Sequence, residues 1–445
     1  MINRVLERDF VLEKAAAVRA ELARLAAEEG AADERRAEYA YRELEKSLES
    51  EKSVGGEEPG KAWVPRDAPL SLLQTVMEEQ ILERHGERLV DGPGDWLVAT
   101  QDVAEDDLDE AHDFTAGDPG WVTGMARALA TRLWRGRHPF VEAESPPEAP
   151  LAVNARVILL SDWATGGRAA RKVADLARAE IGSAGATEVH VIHLGDVYFA
   201  GEEREVQERF LDCWPVALGE EGRYRSWAVM GNHDMYAGGH GFYECMLMDP
   251  RFAGQRTQDG QGISYFALSN RHWQILGIDT AWDDHLVPHL GHHGFLKDPQ
   301  GRWIADRVRA AREANQRTML LSHHQFYTTH ADRDDQARAG GNLPEKLQPA
   351  FDAGGIDAWF WGHEHRCQTF APRTEVRYSA CIGHGAMPEA VGGGTPEAGE
   401  WEFDEGGAEW RWCGLAVLDF REEAVEVKYI AQNAGHFESD FLPVP

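Results

Sequence analysis

Five short polar groups carry the chemistry this chain offers. Asp162 follows the apolar run Val157 to Leu160 and Ser161. Gly195-Asp196 follows Glu188 to Leu194 (EVHVIHL). Gly231-Asn232-His233-Asp234 follows Ser226 to Met230 (SWAVM). Ser322-His323 follows Arg317 to Leu321 (RTMLL), and Gly362-His363-Glu364-His365 follows Ile356 to Trp361 (IDAWFW). In order this reads D, GD, GNHD, H, GHxH. Each group sets an Asp, Asn or His beside a small residue at the end of a hydrophobic run. Such a set of oxygen and nitrogen donors, gathered from several loops, suits a site for two divalent metals.

The spacing fits loops of one sheet architecture. Asp162 to Asp196 is 34 residues and Asp196 to Asn232 is 36, each room for one helix and one strand. Apolar runs of this length, bounded by Gly and polar residues, read as central strands covered on both faces. Ligands in open α/β sheets collect in the crevice at the strand ends, where these five loops would converge.

The set resembles the calcineurin-like metallophosphoesterase family of binuclear metallophosphatases and phosphodiesterases, over roughly residues 153 to 430. The resemblance implies a four-layer α/β/β/α sandwich. It implies that Asp196 bridges two metals, that Asn232, His323 and His363 complete one site, and that Asp162 and His365 belong to the other. The donors suit Mn, Fe, Zn, Ni or Co rather than a thiolate-selective ion. His233 is implied to contact the phosphate and protonate the leaving group, with Asp234 hydrogen-bonded to its ring.

One position departs from the family pattern. Many members have D-x-H at the first motif; here it reads Asp162-Trp163-Ala164, and alanine cannot ligate. Purple acid phosphatases use instead a tyrosine three residues after the GD aspartate. Phe199 stands there, and Tyr198 is one place too early. Water, a weak site or another side chain such as His384 fills the gap, so the two metals are expected to differ in affinity. His193 reads as a satisfied core histidine, and His324 as pointing away from His323 on the opposite strand face. His240 reads equally as a pocket or a turn residue. Trp163, Tyr198, Phe199, Tyr236 and Trp282 are candidates for an aromatic wall around a substrate, or for cover over the sheet. The stretch His285 to His293 reads as a lid or a surface loop.

Composition bounds the rest. The 445 residues hold 45 Lys plus Arg against 76 Asp plus Glu, a formal charge of -31. Such a surface repels polyanions, and no long Lys/Arg run offsets it, which argues against a non-specific nuclease. No stretch is long and apolar enough to span a bilayer. Met1 to Phe10 lacks the apolar core of a signal peptide. Cys213, Cys245, Cys367, Cys381 and Cys413 are odd in number and scattered, which suits reduced thiols in a cytoplasm.

Residues 1–150 read as an acidic, mostly helical region and 151–445 as the phosphoesterase domain. Val11, Val18, Leu22 and Leu25 form an a/d-like stripe, which either packs on the rest of the protein or dimerises as a coiled coil. Val54 to Pro69 reads as a linker. Leu70 to Leu89 and Trp121 to Trp134 read as further helices, and Asp102 to Asp113 as a solvated acidic loop. Glu142 to Pro150 reads as the boundary, and Pro388 to Glu405 as a surface excursion. Gly414 to Phe420 and Ala424 to Ile430 read as a closing antiparallel pair. The function expected is metal-dependent hydrolysis of a small phosphate ester, with the diester favoured over the monoester. The alternatives are a nuclease, which needs a basic groove, and a non-catalytic regulatory module with a degenerate first metal site.

Overall fold

The structure, a computed structural model, describes residues 135–445 except 186, 284–293, 329–340, 388–400, 403–411, 422–423, 432–435 and 444–445. The helices expected before residue 134, the linker, the acidic run and the stretch His285 to His293 lie outside the described residues. So does most of Pro388 to Glu405.

Two sheets dominate. The first runs β1 (Glu148–Pro150), β5 (Phe266–Ser269), β6 (Trp273–Gly277), β7 (Arg317–Leu321), β8 (Ile356–Trp361), β10 (Val376–Ile382), β9 (Cys367–Phe370), β11 (Trp401–Glu402). The second runs β14 (His436–Pro443), β13 (Ala424–Ala431), β12 (Gly414–Phe420), β2 (Arg156–Leu160), β3 (Val189–His193), β4 (Tyr224–Ala228). Both centres are parallel: β2 with β3 and β4, and β6 with β7, β8 and then β10. The closing pair β12 and β13 is antiparallel and adds to the open side of β2.

Strand alternation explains the layers. Val157 and Leu159 of β2 meet Met319 and Leu321 of β7 and Ala358 and Phe360 of β8 in one core between the sheets. The intervening residues face outward. Ile158 and Leu160 pack under α1 (Arg168–Ser183), whose Ala170, Val173, Ala177 and Ile181 lie on one helical face. Leu320, Trp359 and Trp361 pack under α3 (Asp298–Glu313) and α4 (Leu343–Asp352), through Ile304, Val308, Leu343 and Leu347. Three cores between four layers make the α/β/β/α sandwich. With both faces of each centre covered, buried apolar side chains stand on both sides of these strands rather than on one.

The packed unit begins before Leu151. β1 pairs in parallel with β5, so Glu148–Pro150 is an edge strand. Residues 135–143 cross the same domain. Arg135 forms ion pairs with Glu203 (2.6 Å) and Glu244 (2.5 Å). His138 stacks on Tyr243 at 4.2 Å, and its carbonyl accepts the Trp282 indole N–H at 2.9 Å. No helix among the described residues is long and apolar enough to cross a membrane.

Candidate metal centre

Every candidate ligand stands just past the C-terminal end of a parallel strand: Asp162 after β2, Asp196 after β3, Asn232 after β4, His323 after β7, His363 and His365 after β8. Among the described residues five non-glycine residues have left-handed backbone. Four of them are Asp162 (φ 51°), Asp196 (φ 75°), His363 (φ 68°) and His365 (φ 49°). Such conformations cost about 1–3 kcal/mol each and concentrate where loops serve a site. Glycines let the loops meet. A Cβ on Gly231 would collide with the Asp196 carboxylate, and one on Gly362 with the Ser161 hydroxyl.

The donors divide about Asp196. Its Oδ1 lies 3.4 Å from His323 Nε2. Asn232 Oδ1 joins that side, 2.8 Å from His323 Nε2 and 3.0 Å from His363 Nδ1. On the other side the Tyr198 hydroxyl lies 3.2 Å from Asp196 Oδ2, 3.1 Å from Asp162 Oδ1 and 3.1 Å from His365 Nε2. His365 Nε2 is 3.5 Å from Asp162 Oδ1. One ligand atom each from Asp162, Asp196 and His323 fit within 4.8 Å of one another.

The electrostatics suit cations. Burial raises the Asp162 carboxyl above its ordinary range, and burial together with the neighbouring Asp162 and Asp234 charges raises Asp196 well above it. Burial holds the His323 ring neutral by lowering its pKa well below the usual value. The Leu194 carbonyl, 3.0 Å from His323 Nδ1, can only accept, so the ring's one hydrogen sits on Nδ1. Nε2 therefore turns a lone pair toward the Asn232 oxygen, an acceptor facing an acceptor. A cation on that side would satisfy both and offset the buried carboxylate charge. The donor set fits divalent metal.

Residues 155–367 match the family model for calcineurin-like phosphoesterases. They form a calcineurin-like phosphoesterase domain. No curated protein matches the chain in sequence. Among solved structures the chain is similar to GAP50, "the anchor in the inner membrane complex of Plasmodium", at 13% identity over 66% of this chain and 89% of that one, TM-score 0.46. It is similar to a dimetal phosphatase from Danio rerio at 15% identity, over 66% and 99%, TM-score 0.42. It is similar to PhoD at 8% identity, over 68% and 70%, TM-score 0.44.

Several side chains of the phosphoesterase domain stand elsewhere than expected. Asp234 does not hold the His233 ring. It is the third residue of α2 (Asn232–Tyr236), and its carboxylate turns back to accept the N–H of Gly231 at 2.7 Å and of Asp196 at 3.1 Å. The two loops are stapled reciprocally, since Asp196 Oδ1 accepts the His233 N–H at 2.9 Å. Asp234 is thus an anchor of the turn, with its carboxyl pushed up by burial to about 7. The His233 ring is held by the Phe199 carbonyl, 2.7 Å from Nδ1, between Tyr198 and Tyr236 at 4.6 and 4.5 Å. Nδ1 carries the hydrogen, and Nε2 lies 3.8 Å from Asp196 Oδ2. Burial lowers this ring's pKa to about 3.

Tyr198, set aside in the sequence as one place too early, is in the centre. Val197 bridges in parallel to Ala164, whose carbonyl accepts the Tyr198 N–H at 3.1 Å. His384 is not there: a Cβ on Gly414 would sit 2.8 Å from its Nε2. His324 faces inward, its Nδ1 3.1 Å from the Thr280 hydroxyl and its ring 4.7 Å from His363. His240 lies under the Gly136 carbonyl, 3.0 Å away, and Glu244. His193 is buried, and neither ring nitrogen has a hydrogen-bond partner, so it is a core histidine but not a satisfied one. Trp163 and Phe199 are buried, and Trp282 lies between Arg137 (4.3 Å) and Lys297 (4.1 Å). Of the aromatic wall, Tyr198 and Tyr236 touch the His233 ring. Glu364 anchors the GHEH turn by accepting from the Trp361 indole (3.1 Å) and the Thr328 hydroxyl.

Proposed function

We propose that this domain hydrolyses a small phosphate ester with the help of two divalent transition-metal ions. The observation that supports this is the division of donors about Asp196, one carboxylate oxygen toward each group. Asn232, His323 and His363 would hold one ion with Asp196. Asp162, His365 and Tyr198 would hold the other with Asp196, Tyr198 standing in for the histidine absent at Ala164. Such ions, when bound, polarise a phosphoryl oxygen and bring a water's pKa near neutrality.

His233 would act at Nε2. Its hydrogen is committed to Phe199 through Nδ1, so the ring enters the reaction neutral and with a lone pair facing the site. A phosphate's negative charge within hydrogen-bond reach favours the imidazolium form. The ring then takes a proton at Nε2 and delivers it to the leaving oxygen. Asp234 supports this by fixing the backbone of Asp196 and Gly231.

A compact ester, diester in preference to monoester, fits the charge of -31 better than a polynucleotide, whose binding is driven by Lys and Arg. Cys213, Cys245, Cys367, Cys381 and Cys413 form no disulfide among the described residues, which supports a reducing, cytoplasmic setting. Residues before Arg135 would serve access or assembly, for every proposed ligand lies beyond Leu160.

The test is an assay of purified protein reconstituted with Mn, Fe, Zn, Ni or Co. The substrates are p-nitrophenyl phosphate, bis-p-nitrophenyl phosphate, cyclic nucleotides and single-stranded DNA, with Asp196→Asn beside wild type. We expect metal-dependent cleavage of a small ester, lost together with bound metal in the variant. Cleavage of DNA with none of the small esters would favour the nuclease.

A further inference from the structure

At Nδ1 the His233 ring meets a carbonyl rather than a carboxylate: that of Phe199, 2.7 Å away. A carbonyl holds a ring only as firmly as its own peptide is held. The peptide joining Phe199 to Ala200 is a planar trans unit, so its C=O and N–H point opposite ways. The carbonyl edge faces His233. The N–H edge, that of Ala200, donates to Glu205 Oε2 at 2.8 Å. Glu205 and His233 thus hold one rigid plane from its two edges.

Glu205 holds the preceding peptide as well. Its Oε1 accepts the Phe199 N–H at 2.5 Å. Arg209, four residues on, lies 3.3 Å from that oxygen and donates to the Tyr198 carbonyl at 2.7 Å. Its guanidinium also covers the Phe199 ring at 4.7 Å. Glu205 Oε2 accepts the Glu202 N–H too, at 3.2 Å, a contact that capping the short helix Glu203–Glu205 explains by itself. The contacts to Phe199 and Ala200 lie outside that helix, and capping does not require them. The geometry points to Glu205 as a positioning residue: through the Phe199–Ala200 peptide its buried carboxylate fixes His233 Nδ1 and keeps the Nε2 lone pair turned to the metal centre. It does at one remove what the sequence assigned to Asp234. A charged acceptor on the N–H edge also makes the carbonyl a stronger acceptor, because hydrogen bonds in a chain polarise one another. This rests on the phosphoesterase reading above.

A residue that works through His233 has nothing to act on once that ring is gone, whereas a merely structural anchor matters with or without it. Glu205→Gln keeps the size, removes the charge and turns an NH2 toward one of the loop's N–H groups. The experiment is steady-state kinetics of full-length, manganese-loaded protein in four forms: wild type, Glu205→Gln, His233→Ala and the double variant. The substrates are phenyl phosphate and diphenyl phosphate, whose phenolate leaves poorly without a proton. We expect Glu205→Gln to lower kcat by about 10–100-fold with manganese content kept, the usual effect of an orienting partner. In the His233→Ala background the same change should cost no more than about twofold, the scatter of additive cycles. Glu205→Asp keeps both acceptor oxygens but ends one methylene short of the loop. It is run through the same cycle with the same pattern expected, and it decides the matter if the Gln variant does not fold. Equal losses in both backgrounds, or no loss in either, would overturn the role of Glu205 and leave the phosphoesterase reading intact. A manganese-loaded wild type that cleaves neither ester would overturn that reading and this role with it.

Discussion

His193 closes β3 with its ring among aromatic side chains. Phe210 lies 4.9 Å away, Trp163 6.3 Å and Trp214 6.4 Å, centroid to centroid. Neither ring nitrogen has a hydrogen-bond partner, and burial lowers its pKa from 6.5 to about 3. The unfolded chain takes up a proton here below pH 6.5, and the folded protein does not until about pH 3. The ring's contribution to stability is therefore complete above pH 6.5 and is lost progressively as pH falls toward 3. Each pH unit in that window costs about 1.4 kcal/mol, so going from pH 6.5 to pH 5 costs about 2 kcal/mol. His193→Phe removes the titration. Urea unfolding of both proteins, stripped of metal, at pH 8 and pH 5 measures it. Any repacking cost of the larger ring is present at both pH values and cancels in the difference. The wild type should lose about 2 kcal/mol more than the variant between the two. His384, lowered by burial to about 4, acts in the same direction in both proteins and also cancels. Equal acid losses would mean that the ring is protonated in the fold, and would refute the account of His193 as a buried neutral imidazole.

Three further outcomes follow from the centre. His233→Ala should lower turnover by about 10²–10⁴-fold with metal content kept, checked by steady-state kinetics and elemental analysis; a loss of metal would make His233 a ligand. Tyr198→Phe should weaken the ion shared by Asp162 and His365 by about 10–100-fold in a metal titration, leaving the other ion in place. A chain beginning at Leu151 loses β1 and the Arg135, His138 and Trp282 contacts, so it should melt at lower temperature than one beginning at Arg135, with the centre retained in both.

Much of the fold was legible because each local signal agreed with its neighbours. Runs such as Arg317–Leu321 and Ile356–Trp361 are apolar on both faces, and they became central strands with the expected bounds. The strand expected at Ser226 to Met230 ends at Ala228, because Val229 and Met230 already lead into the GNHD turn. The edge strand Glu148–Pro150 was hidden in the Pro-rich stretch Glu142 to Pro150 that reads as the boundary before the phosphoesterase domain. Its three residues carry no period, and its pairing with β5 is more than a hundred residues distant in sequence.

The residue types of the centre, and the strands that deliver them, were determined by the sequence, since a ligand at a strand end is a local pattern. Side-chain partners were decided by tertiary structure. Asp234 adjoins His233 in the chain, yet neighbours on a helix do not face each other, and the unsatisfied N–H groups at the start of α2 and after β3 claim its carboxylate. Tyr198 was set aside by counting residues, yet its hydroxyl reaches Asp162 and Asp196, where the turn after the Val197–Ala164 bridge places it. Which oxygen of Asp196 faces which group, and which end of Asn232 faces inward, depend on loops from β2, β3, β4, β7 and β8. Those loops can approach closely because glycines such as Gly231 and Gly362 lack a Cβ, and that contact exists only after both sheets have packed.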